Sequence, residues 1–277
     1  MSARFPPGLV VGGGLVLLVV LMALVSLAWT PYDPNHVEVT QRFRAPGAAN
    51  VLGTDQLGRD ELSRLLYGAR NTLLVGIVTV LIALGLGVPL GGLAAVFRGP
   101  TEEAAMRLSD VLLAFPALLL AMLFAAVFQP STLTAMAAIG IALVPVFARV
   151  VRGAGLQVMQ QDYITAARTY GSGAGWILVR HLLPNVSSVL IVQATIAFAI
   201  AILAEAALSY LGLGTAPPTP SWGRMLSDAQ TALEQAPLLA VWPGLSIALS
   251  VLGFNLLGDG LRDLLDPKLV ERLPTQG

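Results

Sequence analysis

The sequence predicts an all-α integral membrane protein with about six spanning helices, on three observations. Charged residues make up 12% of the chain against 56% hydrophobic, and the mean hydropathy is +0.77. Soluble domains are about a quarter charged, because a surface facing water needs polar side chains. Half that charge cannot wet a globular surface, so lipid must cover much of this one. The apolar residues also gather into stretches long enough to cross about 30 Å of hydrocarbon at about 1.5 Å per residue. Finally, a length of 277 residues suits a single membrane domain, 1–277, and leaves no room for a second globular one.

The expected spans lie near 8–29, 71–97, 104–128, 131–151, 186–211 and 237–258. Ser26 and Ala28 give the first span the small residues of a signal-peptide cleavage site. Its apolar run is too long for such a peptide, however, and only Arg4 precedes it, so it reads as a retained anchor. Helix breakers recur: Gly85, Gly87, Pro89, Gly91 and Gly92 in the second span, then Pro116, Pro145 and Pro243 in later ones. In lipid they are tolerated where neighbouring helices or water satisfy the freed backbone groups. Gly8/Gly12 and Gly87/Gly91 have the small-xxx-small spacing that lets two helices approach closely.

Orientation follows from basic residues in the loops. With the N-terminus inside, the cytoplasmic side holds Arg4, Arg98, Arg107, Arg149, Arg152, Arg168, Arg180, Arg262, Lys268 and Arg272. The outer side holds Arg42, Arg44, Arg59, Arg64, Arg70 and Arg224, and ten against six favours this arrangement. It makes 30–70 an extracytoplasmic loop, 152–185 a cytoplasmic loop and 259–277 a cytoplasmic tail, with both termini inside.

Several chemistries are excluded. Zero net charge gives no basic footprint for nucleic acid, and the absence of cysteine removes disulfides and thiolate sites. The two histidines, His36 and His181, are far apart, so no metal site is expected. A P-loop needs a Gly-Lys-Ser/Thr ending, whereas the sole lysine, Lys268, follows Pro267. No His-Glu-x-x-His or Gly-x-Ser-x-Gly is present, so no catalytic residue is assigned.

The 152–185 loop is the most informative stretch. Asp162 can cap a short helix through about Tyr170, and Gly171 can end it in a left-handed conformation. A second short helix near 174–183 would place Trp176, Ile177, Arg180, His181 and Pro184 at three-to-four spacing, with Pro184 turning the chain into the fifth span. Ala166 and Ala167 form a small, smooth face suited to another protein's groove. On the outer side, Asp60 can cap an amphipathic surface helix whose Leu62, Leu65, Leu66 and Ala69 share one face, with Glu61, Ser63 and Arg64 elsewhere. The run Pro217-Pro218-Thr219-Pro220 is stiff extended backbone, and Trp222 suits a membrane interface. Glu205 is the one acid well inside a span, where charge costs about 2.5–3.5 kcal/mol. It reads equally as a lining group for a cationic cargo or as a packing partner.

The loop resembles the EAA loop of binding-protein-dependent ABC importer permeases, through Ala166, Ala167, Gly171 and Leu183-Pro184. Thr165 stands where that family usually has glutamate. Three further stretches resemble the C-type permease of dipeptide, oligopeptide and nickel importers. They are Leu52-Gly-Thr-Asp-Gln-Leu-Gly-Arg-Asp60 with Ser63-Arg64 and Tyr67-Gly-Ala-Arg70; Ser209-Tyr-Leu-Gly-Leu-Gly214 with Pro217 to Gly223; and Leu257 to Asp263 with Asp266-Pro267. The resemblance implies a type I importer bundle in a bacterial or archaeal plasma membrane. It also implies a homologous second permease, two ATPase subunits that bind ATP and Mg, and an extracytoplasmic solute-binding protein. Thr165, Ala166, Ala167, Arg168, Gly171, His181 and Pro184 then become expected ATPase-coupling residues, Glu205 a candidate pathway residue, and Pro218, Pro220 and Trp222 candidate binding-protein contacts. Peptides are the expected cargo, with nickel or another small solute as the alternative. A secondary transporter would favour more intramembrane charge than Glu205 alone.

Overall fold

The computed structural model describes residues 6–265, which hold helices and one isolated bridge, Thr54 with Asp60. In chain order the helices are α1 (Pro7–Ala28), a 3₁₀ turn (Val39–Gln41), α2 (Glu61–Phe97), α3 (Gly99–Ala114), α4 (Ala117–Phe128), α5 (Thr132–Val158) and α6 (Asp162–Thr169). Then come α7 (Ala174–Ile177), a π turn (Leu178–Leu182), α8 (Leu183–Tyr210), α9 (Trp222–Gln230) and α10 (Leu238–Leu265). Five units are long and apolar enough to span a membrane, and α3 with α4 makes a sixth if that bent pair crosses as one. The expectations on Arg4, Asp266, Pro267, Lys268, Arg272 and the tail from 266 onward fall outside the described residues.

Three elements depart from the sequence reading. The third span breaks at Phe115-Pro116, where α3 and α4 meet at 83°. A residue before proline is driven out of the helical region, and Phe115 is extended at φ −90°, ψ 126°. Pro89, Pro145 and Pro243, by contrast, sit inside unbroken helices. The expected surface helix after Asp60 is instead the start of α2, whose 37 residues reach about 55 Å, well beyond the hydrocarbon. Its Glu61, Ser63 and Arg64 are buried, because the loop before them and α9 cover that face. Finally, α5 runs on to Val158, and the expected separate helix near 174–183 is fused through the π turn to α8.

Close backbone contact organises the bundle. A Cβ on Gly87 would stand 2.7 Å from the Val144 carbonyl oxygen, and one on Gly91 would overlap the Ala148 carbonyl. Gly140 lies against Ile82 and Gly155 against Ala95. The paired numbers rise together, so α2 and α5 run parallel at a separation only glycine permits. Small residues do this in membranes because the gain comes from van der Waals packing of the backbones, with no water to expel. Helices α1 and α10 meet the same way but antiparallel, Gly12 on Gly253 and Leu257, and Gly260 on Leu9.

Four apolar clusters fill the rest, the smallest being Ala229, Ala232 and Leu239 between the end of α9 and the start of α10. Ala83, Ala138, Phe147, Ala201 and Leu208 join α2, α5 and α8 at the centre. Val19, Ala199, Trp222 and Phe254 tie α1, α8, α9 and α10 together, with Phe198 stacked on Phe254 at 4.1 Å. Ala95, Val151, Ile164, Ile177, Leu182 and Val186 close one end of the bundle, termed here the α6 end. The opposite, loop end carries residues 29–60, 129–131 and 211–237.

The α1–α10 contact yields a paired prediction. A methyl at Gly12 would meet three backbone atoms of α10, whereas Gly13 faces open space. Gly12→Ala should therefore cost about 1–3 kcal/mol, as overpacking does. Gly13→Ala should leave stability unchanged or slightly raised. Thermal unfolding of the purified protein compares them, and equal melting temperatures would contradict the packing described.

Candidate functional site

The α6 end presents a short, exposed helix on a buried anchor. Gln161 occupies the N-cap position, so Asp162 is the first helical residue rather than the cap, where its charge still favours the helix N-terminus. At the other end the Gly171 amide donates to the Arg168 carbonyl and the Ser172 amide to the Ala167 carbonyl, both at 3.0 Å. This is a Schellman closure, and it sets Gly171 at φ +84°, a conformation that costs other residues about 1–2 kcal/mol. Ile164 is fully buried against Ile177 and Leu182, while Thr165, Ala166, Arg168, Thr169 and Tyr170 face outward and Ala167 is half-buried. Arg168, in the last turn, complements the helix dipole.

Pro184 does not turn the chain, as the sequence reading had it. The π turn supplies a wider ring, in which the Leu183 amide bonds back to the Leu178 carbonyl, and the helix continues through Pro184. Such turns mark functional sites more often than ordinary helix. His181 sits on this turn, its ring 5.6 Å from Tyr163 and 4.8 Å from Trp176, which links α6 to α7 through aromatic contact. Arg152–Glu102 and Arg149–Asp110 ion pairs fasten α5 to α3 nearby.

At the loop end Glu205 is 1% exposed. Ser209 Oγ donates to its Oε1 at 2.6 Å and Thr215 Oγ1 at 3.3 Å. Thr215 in turn accepts from Asn71 Nδ2 at 2.8 Å and lies 3.3 Å from the Thr132 hydroxyl. One acid thus joins α2, α5, α8 and the segment that follows Tyr210. It faces hydroxyls of its own chain, which offset the cost of a buried acid.

Beside this cage stands an ion-pair lattice that the sequence reading missed. Arg59 donates from Nε to Asp55 Oδ2 at 2.6 Å and from Nη2 to Asp228 Oδ2 at 3.3 Å. Arg64 lies 3.6 Å from the same two oxygens, and Arg224 Nε is 3.1 Å from Asp228 Oδ1. These pairs lock residues 55–64 onto α9. Trp222 and Pro220 are buried, Trp222 Nε1 donating to the Leu65 carbonyl at 3.0 Å, so of the three expected binding-protein contacts only Pro218 is exposed. Arg224 and Asp228 stand four apart on α9, a spacing visible in sequence, whereas the pairing of Asp228 with Arg59 and Arg64, some 165 positions away, left no signal.

The site and fold together are those of a membrane-spanning helical bundle with a short exposed helix at one end and a polar cap at the other. A family model described as binding-protein-dependent transport system inner membrane component matches residues 87–271, and the chain belongs to that family. It is 44% identical to the di/tripeptide transport system permease protein DppC of Pseudomonas aeruginosa, over 93% of this chain and 88% of that one. It is 42% identical to the glutathione transport system permease protein GsiD of Pectobacterium atrosepticum, over 94% and 87%. It is also 42% identical to the dipeptide transport system permease protein DppC of Alkalihalophilus pseudofirmus, over 92% and 85%. The fold is similar to the inward-facing MetNI methionine ABC transporter, with a TM-score of 0.60 and 19% identity over 73% of this chain and 96% of that one. The bundle is thus a type I ABC importer permease of the inner membrane, of a family that works with ATPase and binding-protein partners.

The hydroxyl cage makes Glu205 a test of the loop end. Glu205→Ala strands the Ser209 and Thr215 hydroxyls, at about 1–3 kcal/mol, whereas Glu205→Gln keeps an acceptor oxygen and should cost less. Melting of the purified protein should rank wild type above Gln and Gln above Ala. Wild-type melting of the Ala variant would contradict the cage.

Proposed function

We propose that this chain and a homologous second permease together line the route by which small peptides cross the membrane, driven by two separate ATPase subunits. The observation that carries this is the exposed face of α6 set on a fully buried Ile164. A partner that presses on Ala166 and Ala167 pushes through Ile164 on Ile177, Leu182, Val151 and Ala95, and so on α8, α5 and α2 together. In this reading the α6 end and both termini are cytoplasmic, the loop end faces outward, and ATP and Mg bind to the ATPase subunits. This chain supplies no nucleotide site, since its one lysine follows proline instead of the glycine of a P-loop. Peptide cargo is supported by the dipeptide, di/tripeptide and glutathione systems named for the relatives. Glu205, enclosed by Ser209 and Thr215, acts as a fixed joint of the outer end and not as a cargo contact.

A charge placed on the smooth face tests the coupling. Ala166 is exposed, so Ala166→Glu leaves the fold intact but brings an unpaired charge into a dry contact. Each 1.4 kcal/mol is about tenfold in affinity, so ATPase docking should weaken about ten- to hundredfold. Thr165→Glu should be milder, since the resembled family has glutamate there. Uptake by reconstituted vesicles reads the result. Normal ATP-dependent uptake by Ala166→Glu, with the ATPase still bound, would remove α6 as the coupling surface.

A further inference from the structure

The loop end carries more fixed positive charge around one opening than its fold consumes. A cavity of about 150 Å³ lies between the 55–64 segment and α9, with Pro217, Pro218 and Thr219 on its rim. Its charged lining is Arg59, Arg64, Arg224 and Asp228, three guanidiniums against one carboxylate. Asp228 is already shared among all three, Oδ2 facing Arg59 and Arg64 and Oδ1 facing Arg224. Asp55, the other acid in contact, lines with Glu61 a small adjoining cavity that shares Gln56, Arg64 and Asp228 with this one. Counting Asp55 with Asp228, three guanidiniums face two carboxylates, so the cluster keeps one positive charge in excess.

Its donors are also unspent. A guanidinium carries five N–H groups in a rigid fork that matches a carboxylate. Arg224 uses only Nε on Asp228, which leaves both of its Nη groups and Nη1 of Arg59 without a partner among the described residues, whereas Arg64 is committed to Asp55, Asp228 and the Pro34 carbonyl. Arg59 and Arg64 are held by burial, at 8% and 2% side-chain exposure, so they lose little freedom on meeting a ligand.

We infer that this opening is an anion-recognition pocket, in which Arg59 and Arg224, with the Arg64 charge behind them, receive an acidic side chain of the solute-binding protein. The inference rests on the transport reading above, which turns the loop end outward. Charge complementarity selects an acid, and the place of the cavity selects a protein. It opens among polar residues after Tyr210 has ended α8, past the apolar stretch that lipid covers, and beside the exposed Pro218 rim. A prolyl rim suits the role because it is stiff and lets a partner seat without ordering a loop.

The test measures binding of the cognate solute-binding protein, loaded with dipeptide, to the complete transporter in lipid nanodiscs at low and high salt. Arg224→Gln should weaken binding about tenfold at low salt and flatten the salt dependence. Arg224→Lys, which keeps the charge and loses the fork, should fall between. Thr219→Asp offers a competing carboxylate from the rim without removing any existing pair, and should weaken binding as well. Wild-type affinity and salt dependence in both Arg224→Gln and Thr219→Asp would overturn the inference alone. Competition by free dipeptide, in place of the protein, would overturn it in favour of a cargo site. No binding by the wild-type complex would overturn the transport reading and this inference with it.

Discussion

The close parallel approach of α2 and α5 is the constraint on which the rest of the structure depends. Gly87 and Gly91 bring the α2 backbone against that of α5, and Gly140 and Gly155 make room for Ile82 and Ala95. In lipid this contact has no hydrophobic drive, so shape must supply it. Once the pair is fixed, α8 packs across both through Ala201 and Leu208, and α4 joins through Ala121. The α6 end then inherits a common floor, because Ala95 of α2, Val151 of α5 and Ile164 of α6 belong to one buried apolar cluster. A docking helix can act on several spans at once only if those spans already move as one body.

The loop end solves a different problem. Outside the hydrocarbon, apolar packing gives way to polar joints: the Glu205 cage, the Asp55–Arg59–Asp228–Arg64 lattice and the Trp222 bond to Leu65. Each joins residues far apart in the chain and leaves few polar groups unsatisfied. Buried ion pairs of this kind add little net stability, but removing one partner costs about 3–5 kcal/mol, so they specify geometry more than they strengthen it. The two ends therefore differ in kind. One offers a small-residue face on an apolar bed, and the other a stiff, charged platform.

Much of this was legible in sequence. The span positions follow from apolar length, the Gly8/Gly12 contact from spacing, and the left-handed stop at Gly171 from the demand for positive φ. What was hidden is instructive. Pro116 breaks a span while Pro89, Pro145 and Pro243 do not, and local sequence gives all four prolines the same sign. Periodicity places Glu61, Ser63 and Arg64 on the polar face of a surface helix, since it cannot show a loop folding back over them. Pro184 reads as a turn in sequence, since nothing in its neighbours announces the π ring that carries the helix through it. Asp228 was missed because its partners are set by three-dimensional closure and not by spacing.

These features make one mechanical claim: force enters at α6 and is shared by α2, α5 and α8 through Ile164. The most direct measurement is site-specific cross-linking at the exposed Ala166 in the assembled transporter. A cysteine at Ala166 carrying a short photo-reactive group should capture an ATPase subunit, and nucleotide should change the yield. The same label at Ala48, in the loop end, should capture no ATPase. An ATPase adduct from Ala48, or none from Ala166 in a complex that retains its ATPase, would contradict the account.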